Sequence, residues 1–190
     1  MNALFKGRFP DFAELENPKT PEDAERARLM RDHYKLDPSL MRLTEERYGP
    51  LEWRMPEAHA IYWAVVGLQN CPTNHKDLIT LRRMIYQSMH QTMLRGKIYS
   101  VREDGAPVIL PNIDVAFKVD RVYEEMIRDD EEKRYAIQQA HKNFLREAVY
   151  FLYSAQRLTD AGLLFDKLKK TYPGAINSDI KGTKIGRAHV

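Results

Sequence analysis

Through most of this chain apolar residues recur at three- and four-residue spacing, the pattern of helices that bury one stripe and wet the other. The clearest run is Asn143 to Pro173. There Phe144, Ala148, Phe151, Leu152 and Ala155 share one stripe, and Ala161, Leu164, Phe165 and Leu168 form a second. Arg157, Thr159 and Asp160 interrupt the two, with Thr159 or Asp160 placed to accept from the free N–H groups that open the second helix. Pro173-Gly174 closes the run. Two apolar stripes separated by so short a turn predict an antiparallel helical hairpin.

The upstream chain reads as more of the same material. Residues 1–20 hold Phe5, Phe9, Phe12 and Leu15 among Pro10 and Pro18, which predicts an extended arm whose aromatics dock on the body. Thr20-Pro21-Glu22-Asp23 is a cap, a first-turn proline and two dipole-favoured acids, opening a helix to about Tyr34 with Ala24, Ala27, Met30 and Tyr34 inward. Asp37-Pro38 opens a second helix, Ser39 to Tyr48, with Leu40, Leu43 and Arg47 spaced along it. Pro56-Glu57 opens a third, reaching Asn70, whose apolar face is Ala60, Ile61, Ala64, Val65 and Leu68. Asn74 to Arg95 is a long amphipathic helix striped by Leu78, Leu81, Ile85, Met89 and Met93, so residues 57–95 predict another hairpin. Between Lys97 and Leu110, two β-like arms flank Asp104-Gly105, a tight-turn dipeptide, and Pro107 confines the second arm to an edge or loop. Pro111-Asn112 caps a helix to about Asp129 with Val115, Val119, Val122 and Met126 on its face. Asp129-Asp130-Glu131-Glu132 is an acidic opening to the last long helix. The expected fold is all-α, stacked antiparallel helical hairpins with one small β-hairpin near 97–110. Its expected divisions are an arm (1–20), a helical domain carrying the β-hairpin (21–142), the final hairpin (143–173) and a linker with tail (174–190).

The final hairpin resembles a tetratricopeptide repeat. The family's signature has an aromatic pair near the end of its first helix, a turn glycine, an alanine and an aromatic in the second helix, and a closing proline. Leu152-Tyr153, Ala161, Phe165 and Pro173 match it without a gap. Leu158 stands where an aromatic is common, Gln156 where the turn glycine is usual, and Lys169 where small or apolar residues are frequent. The match covers about one repeat of a family whose unit is roughly 34 residues. The resemblance implies a concave surface, lined by first helices of successive units, that holds a protein or peptide. Tyr150, Tyr153 and Arg157 are the contacts it suggests, and covering a neighbouring repeat is the equally open structural role for them.

Composition narrows the classes rather than naming one. Of 190 residues, 43% are hydrophobic and 30% charged, with nine glycines, which suits helices with solvated faces. No apolar run approaches the roughly 20 residues needed to span a bilayer, and MNALFKGRF is too short and charged for a signal peptide. The single cysteine, Cys71, excludes an internal disulfide and any multi-cysteine zinc site. Ile185-Gly186-Arg187-Ala188-His189-Val190 is what a common sequencing adapter encodes in one frame, so the natural chain is expected to continue beyond about Thr183, and an upstream anchor or signal stays open. Setting aside Lys184 and Arg187 lowers the 30 basic residues to 28 against 27 acidic ones, and the net charge from +3 to +1. Such a balance points to neither nucleic acid nor membrane.

Chemistry is sparse. No pair of histidines has the four-residue spacing, with a glutamate between, that sets two metal ligands on one helical face, and no glycine-rich phosphate loop occurs. No cofactor is expected. Cys71 follows a helix C-terminus, where nothing lowers a thiol's pKa. One cluster carries a rival reading as an enzyme or an enzyme's regulatory domain: Trp53, Glu57, His59, Tyr62 and Trp63. Against it stands a histidine bonded within an aromatic junction. A pocket around Glu57 or His59 would favour the enzyme, and a filled junction beside an exposed face on the last hairpin would favour a protein-binding scaffold, the expected function.

Overall fold

The structure, a computed structural model, describes residues 11–72, 77–99 and 107–177. It is all-α with one small two-stranded antiparallel sheet. Phe5, Phe9, Asn74, the Asp104-Gly105 turn and residues 178–190 lie outside the described residues. The chain forms two compact units, Met1–Val119 and Asp120–Val190.

In the first unit, α1 (Phe12–Glu16) replaces part of the expected extended arm. Asp11 caps it by accepting from Ala13 N at 2.9 Å, and Phe12 and Leu15, three apart, go into the core. The flanking prolines masked that spacing in the sequence. α2 (Pro21–Asp32) starts as its sequence requires, with the Thr20 hydroxyl accepting from Asp23 N at 3.1 Å. Ala27 and Met30 are buried, whereas Ala24 is exposed. α3 (Pro38–Tyr48) is capped by Asp37, which accepts from Ser39 N and Leu40 N. Its inward stripe is Met41, Thr44 and Tyr48, one position on from the one expected, and Leu43 is 49% exposed. A polar Thr44 suits the core because its hydroxyl donates back to Leu40 O at 2.7 Å.

α4 (Pro56–Asn70) and α5 (Asp77–Arg95) form the second hairpin. Glu57 at the start of α4 pairs with Arg95 at the end of α5 at 2.7 Å, which fixes the two helices antiparallel. Near the other end Gly67 gives Leu81 room, since a Cβ there would lie 2.8 Å from its Cδ2. Ile85, Met89 and Met93 are buried as the stripe requires. β1 (Lys97–Tyr99) pairs with β2 (Val108–Leu110) in the register Lys97↔Leu110, Ile98↔Ile109, Tyr99↔Val108, and Pro107 stands just outside the ladder. Asn112 does not cap with its side chain. It is buried, takes Met93 O with its N–H at 2.9 Å and Pro50 O with its amide at 2.7 Å, and so joins two loops to the end of α5. A 3-10 turn, Ile113–Val115, leads into α6 (Ala116–Asp129), whose predicted face of Val115, Val119, Val122 and Met126 is buried throughout.

The second unit holds the rest of α6, then α7 (Arg134–Ser154), α8 (Leu158–Thr171) and a single turn, α9 (Gly174–Asn177). The acids before α7 occupy a turn and not the helix's first turn, and Asp130 accepts from Lys133 N at 3.0 Å. Phe144, Ala148 and Leu152 of α7 and Ala161, Leu164 and Leu168 of α8 form the core as expected, whereas Ala155 is exposed and Phe165 is 38% exposed. Neither Thr159 nor Asp160 caps α8. Arg157 is the capping residue, and the Asp160 carboxylate instead accepts from Arg157 Nε at 2.8 Å.

α7 closes with a left-handed residue. Gln156 has φ 61°, while Arg157 N bonds back to Leu152 O at 2.9 Å, the Schellman arrangement that glycine adopts without strain. The Gln156 side chain is exposed. Gln156→Gly is expected to stabilise the protein by about 0.5–1 kcal/mol, the Cβ strain relieved less the extra freedom glycine gives the unfolded chain. A urea midpoint that stays put or falls would contradict that assignment.

Candidate functional site

α7 turns one stripe outward. Asn143, Arg146, Glu147 and Tyr150 follow one another at three- and four-residue steps and line an open groove of about 400 Å³. Tyr150 is 66% and Tyr153 61% exposed, and the Tyr150 ring meets Phe151 edge-on at 5.5 Å. Arg157 lies past the end of α7, as the capping residue of α8, and its guanidinium is already bound to Asp160 at 2.7 Å. Two of the three expected contacts therefore present open aromatic surface, and the third is a half-buried ion pair.

The Trp53 cluster is assembled by the loop between α3 and α4 and by the first turns of α4. Trp53 is 1% exposed, in edge contact with Phe12, His59 and Tyr62 at 5.7, 6.4 and 6.2 Å between ring centres. His59 Nε2 bonds Trp53 O at 2.9 Å, and the Tyr62 hydroxyl accepts from Asp37 N at 2.8 Å. Buried Glu57 accepts two bonds from Arg95, both on Oε1, and its Oε2 meets no partner among the described residues. Trp63 stands apart, 46% exposed, against the Tyr62 ring. The histidine and tyrosine of this junction are bonded to backbone groups.

Sequence reasoning missed the residue that organises the junction. Glu45 on α3 accepts from Trp53 Nε1 at 2.9 Å and from Leu51 N at 3.1 Å. Burial raises its carboxyl pKa above the ordinary value, against those hydrogen bonds, which favour the charged form. An acid on a wet-looking helical face gave no local sign of this. Only its spacing of eight residues from Trp53, across a chain reversal, could have suggested it.

A second polar centre, also unforeseen, lies within the second unit. His141 of α7 is 1% exposed, stacks on Tyr123 of α6 at 5.3 Å, and has both ring nitrogens engaged. Nε2 meets Asp120 Oδ1 at 2.8 Å, and Nδ1 meets the Tyr172 hydroxyl at 2.9 Å. Lys167 of α8 bonds the other Asp120 oxygen and reaches Glu124 at 2.7 Å. Burial alone would raise the Asp120 pKa, but the hydrogen bonds and charges of His141 and Lys167 together outweigh it and hold the group below its usual value. Lys167 is held above its usual value: desolvation opposes its charge, but Asp120 and Glu124 prevail. Burial and the two nearby carboxylates push Tyr172 up to about 12, so it stays a protonated phenol. An ionised Asp120 only accepts, so Nε2 carries a proton, and in the neutral imidazole Nδ1 then accepts from the Tyr172 O–H. The arrangement binds three helices through charge and directed hydrogen bonds.

Among the described residues no group of three or more His, Cys, Asp and Glu side chains is arranged to hold a metal ion, and no helix is long and apolar enough to cross a membrane. Cys71 is a free, partly exposed thiol. No protein-family model, curated protein or solved structure matches the chain.

Proposed function

We propose that this protein is an interaction module that holds a protein or peptide partner on the outward face of α7, in the manner of a tetratricopeptide-like unit. The observation that carries the reading is the open groove of about 400 Å³ at Asn143, Arg146, Glu147 and Tyr150, prolonged by Tyr153. Tyrosine suits such a surface because it brings a large amphipathic contact area with little side-chain entropy to lose, and aromatics with arginine dominate the energetic centres of interfaces. The open phenol rings of Tyr150 and Tyr153 beside the groove suit the apolar side chains of a peptide, and their hydroxyls suit its polar backbone. In the Trp53 cluster, by contrast, His59 and Tyr62 are bonded to backbone groups and Glu57 to Arg95.

A photo-crosslinking amino acid at Tyr153 is expected to trap a discrete partner that the same residue at exposed Glu25 does not. Once that partner is purified, Tyr150→Ala with Tyr153→Ala is expected to weaken binding at least about tenfold, since two interface aromatics exceed 1.4 kcal/mol together. The double variant should hold its own stability within about 0.5 kcal/mol, both rings being exposed. Equal trapping at both positions, or equal affinity of the double variant, would remove this face from the function.

A further inference from the structure

Tyr172 is where the chain leaves α8, and three of its polar groups are tied to different places. Its N–H bonds Leu168 O at 2.9 Å, its carbonyl accepts from Ala175 N at 2.8 Å, and its hydroxyl is hydrogen-bonded to His141 Nδ1, 31 residues earlier, at 2.9 Å. Its backbone has left the helix, with φ −132° and ψ 66°, and Pro173 after it has no N–H to give. The local bonds therefore join Tyr172 only to α8 and to α9. Only the phenol ties the exit to the buried middle of the unit, among the tertiary bonds described for this residue.

We propose that the Tyr172–His141 hydrogen bond is a latch that sets the course of the chain leaving the last hairpin. The latch is prepared from within. Asp120, itself anchored by Lys167 and through it by Glu124, fixes the tautomer of His141 so that Nδ1 is an acceptor, and Tyr123 holds the ring flat beneath it. With the acceptor set in advance, the phenol finds its partner in one orientation, and the turn that follows starts from one place. A single neutral hydrogen bond is too weak to hold the unit folded. It is strong enough to change the open fraction of a helix exit about fivefold. This assignment does not depend on the contact face of α7, and each can fail without the other.

Tyr172→Phe keeps the ring and removes only the donor. Amide hydrogen exchange is expected to speed up about fivefold at Ala175 and at residue 172 itself, with a smaller change at Ala161 and Leu164 in the middle of α8. The ¹⁵N resonance of His141 Nδ1 is expected to move toward that of an acceptor without a donor, with Nε2 still protonated. If Ala175 exchanges at the wild-type rate, if Ala175 and Leu164 speed up equally, or if the His141 Nδ1 resonance does not move, the latch does not exist.

Discussion

Asp120→Ala is expected to destabilise the second unit by about 3 kcal/mol, the low end of the range for breaking a buried ion pair by removing one partner. The low end applies because the Lys167 side chain remains 26% exposed and keeps Glu124 at 2.7 Å. What makes the loss large is His141, 1% exposed, whose Nε2–H would have no acceptor left in its place. Asp120→Asn should cost less, since an amide oxygen still accepts from Nε2. The acid limb of stability carries a second signature. A carboxylate held below its usual pKa adds stability that is complete above the unfolded value, about 3.9, and drains away as pH falls through the lower folded value. That part of the acid slope should vanish in both variants. Both tryptophans lie in the first unit, so their fluorescence does not report on this change. Exchange protection of the α7 core amides, at Phe144, Leu145 and Ala148, does. Undiminished protection in Asp120→Ala would mean that the network is ornamental to the fold.

The elements were legible because their signals were local. Thr20 and Asp37 ahead of their prolines, the stripe Ile85, Met89 and Met93, and the paired stripes at 144–152 and 161–168 each lie within one or two turns of chain, where periodicity and caps speak directly. Two readings slipped by a residue or a turn because a polar side chain took a core or cap role. Thr44 satisfied its own hydroxyl and displaced Leu43 from the interior, and Arg157 with Asp160 closed the start of α8 without a side-chain cap. The two polar centres were illegible for a stronger reason. Glu45 meets Trp53 across a chain reversal, and Asp120 meets His141 and Lys167 from three different helices. Such pairings are set by tertiary packing, and no spacing rule within one element reaches them. The open face of α7 was half legible. Tyrosines at 150 and 153 sit off the apolar stripe, so exposure follows from the period, but the groove beside them needed Asn143, Arg146 and Glu147 to be placed together.

The first unit should respond most to Trp53. Trp53→Ala is expected to cost about 3–5 kcal/mol, the range for emptying the site of a large buried aromatic. Two effects add at this position. The indole is 1% exposed and touches the rings of Phe12, His59 and Tyr62, so its removal opens a cavity beneath α1 and α4. It also donates to Glu45, whose half-buried carboxylate would keep Leu51 N as a partner but lose Nε1. Trp53→Phe separates the two, since phenylalanine refills most of the space without a donor. Its cost should then be about 1–2 kcal/mol, most of it the lost indole hydrogen bond, since Leu51 N still reaches both carboxylate oxygens. Denaturant unfolding followed by the fluorescence of Trp63, which both variants retain, gives the two numbers. If alanine costs no more than phenylalanine, the ring is not filling the junction. The cluster of Glu57, His59 and Tyr62 would then have room for a ligand, and the enzyme reading of this unit would regain its ground.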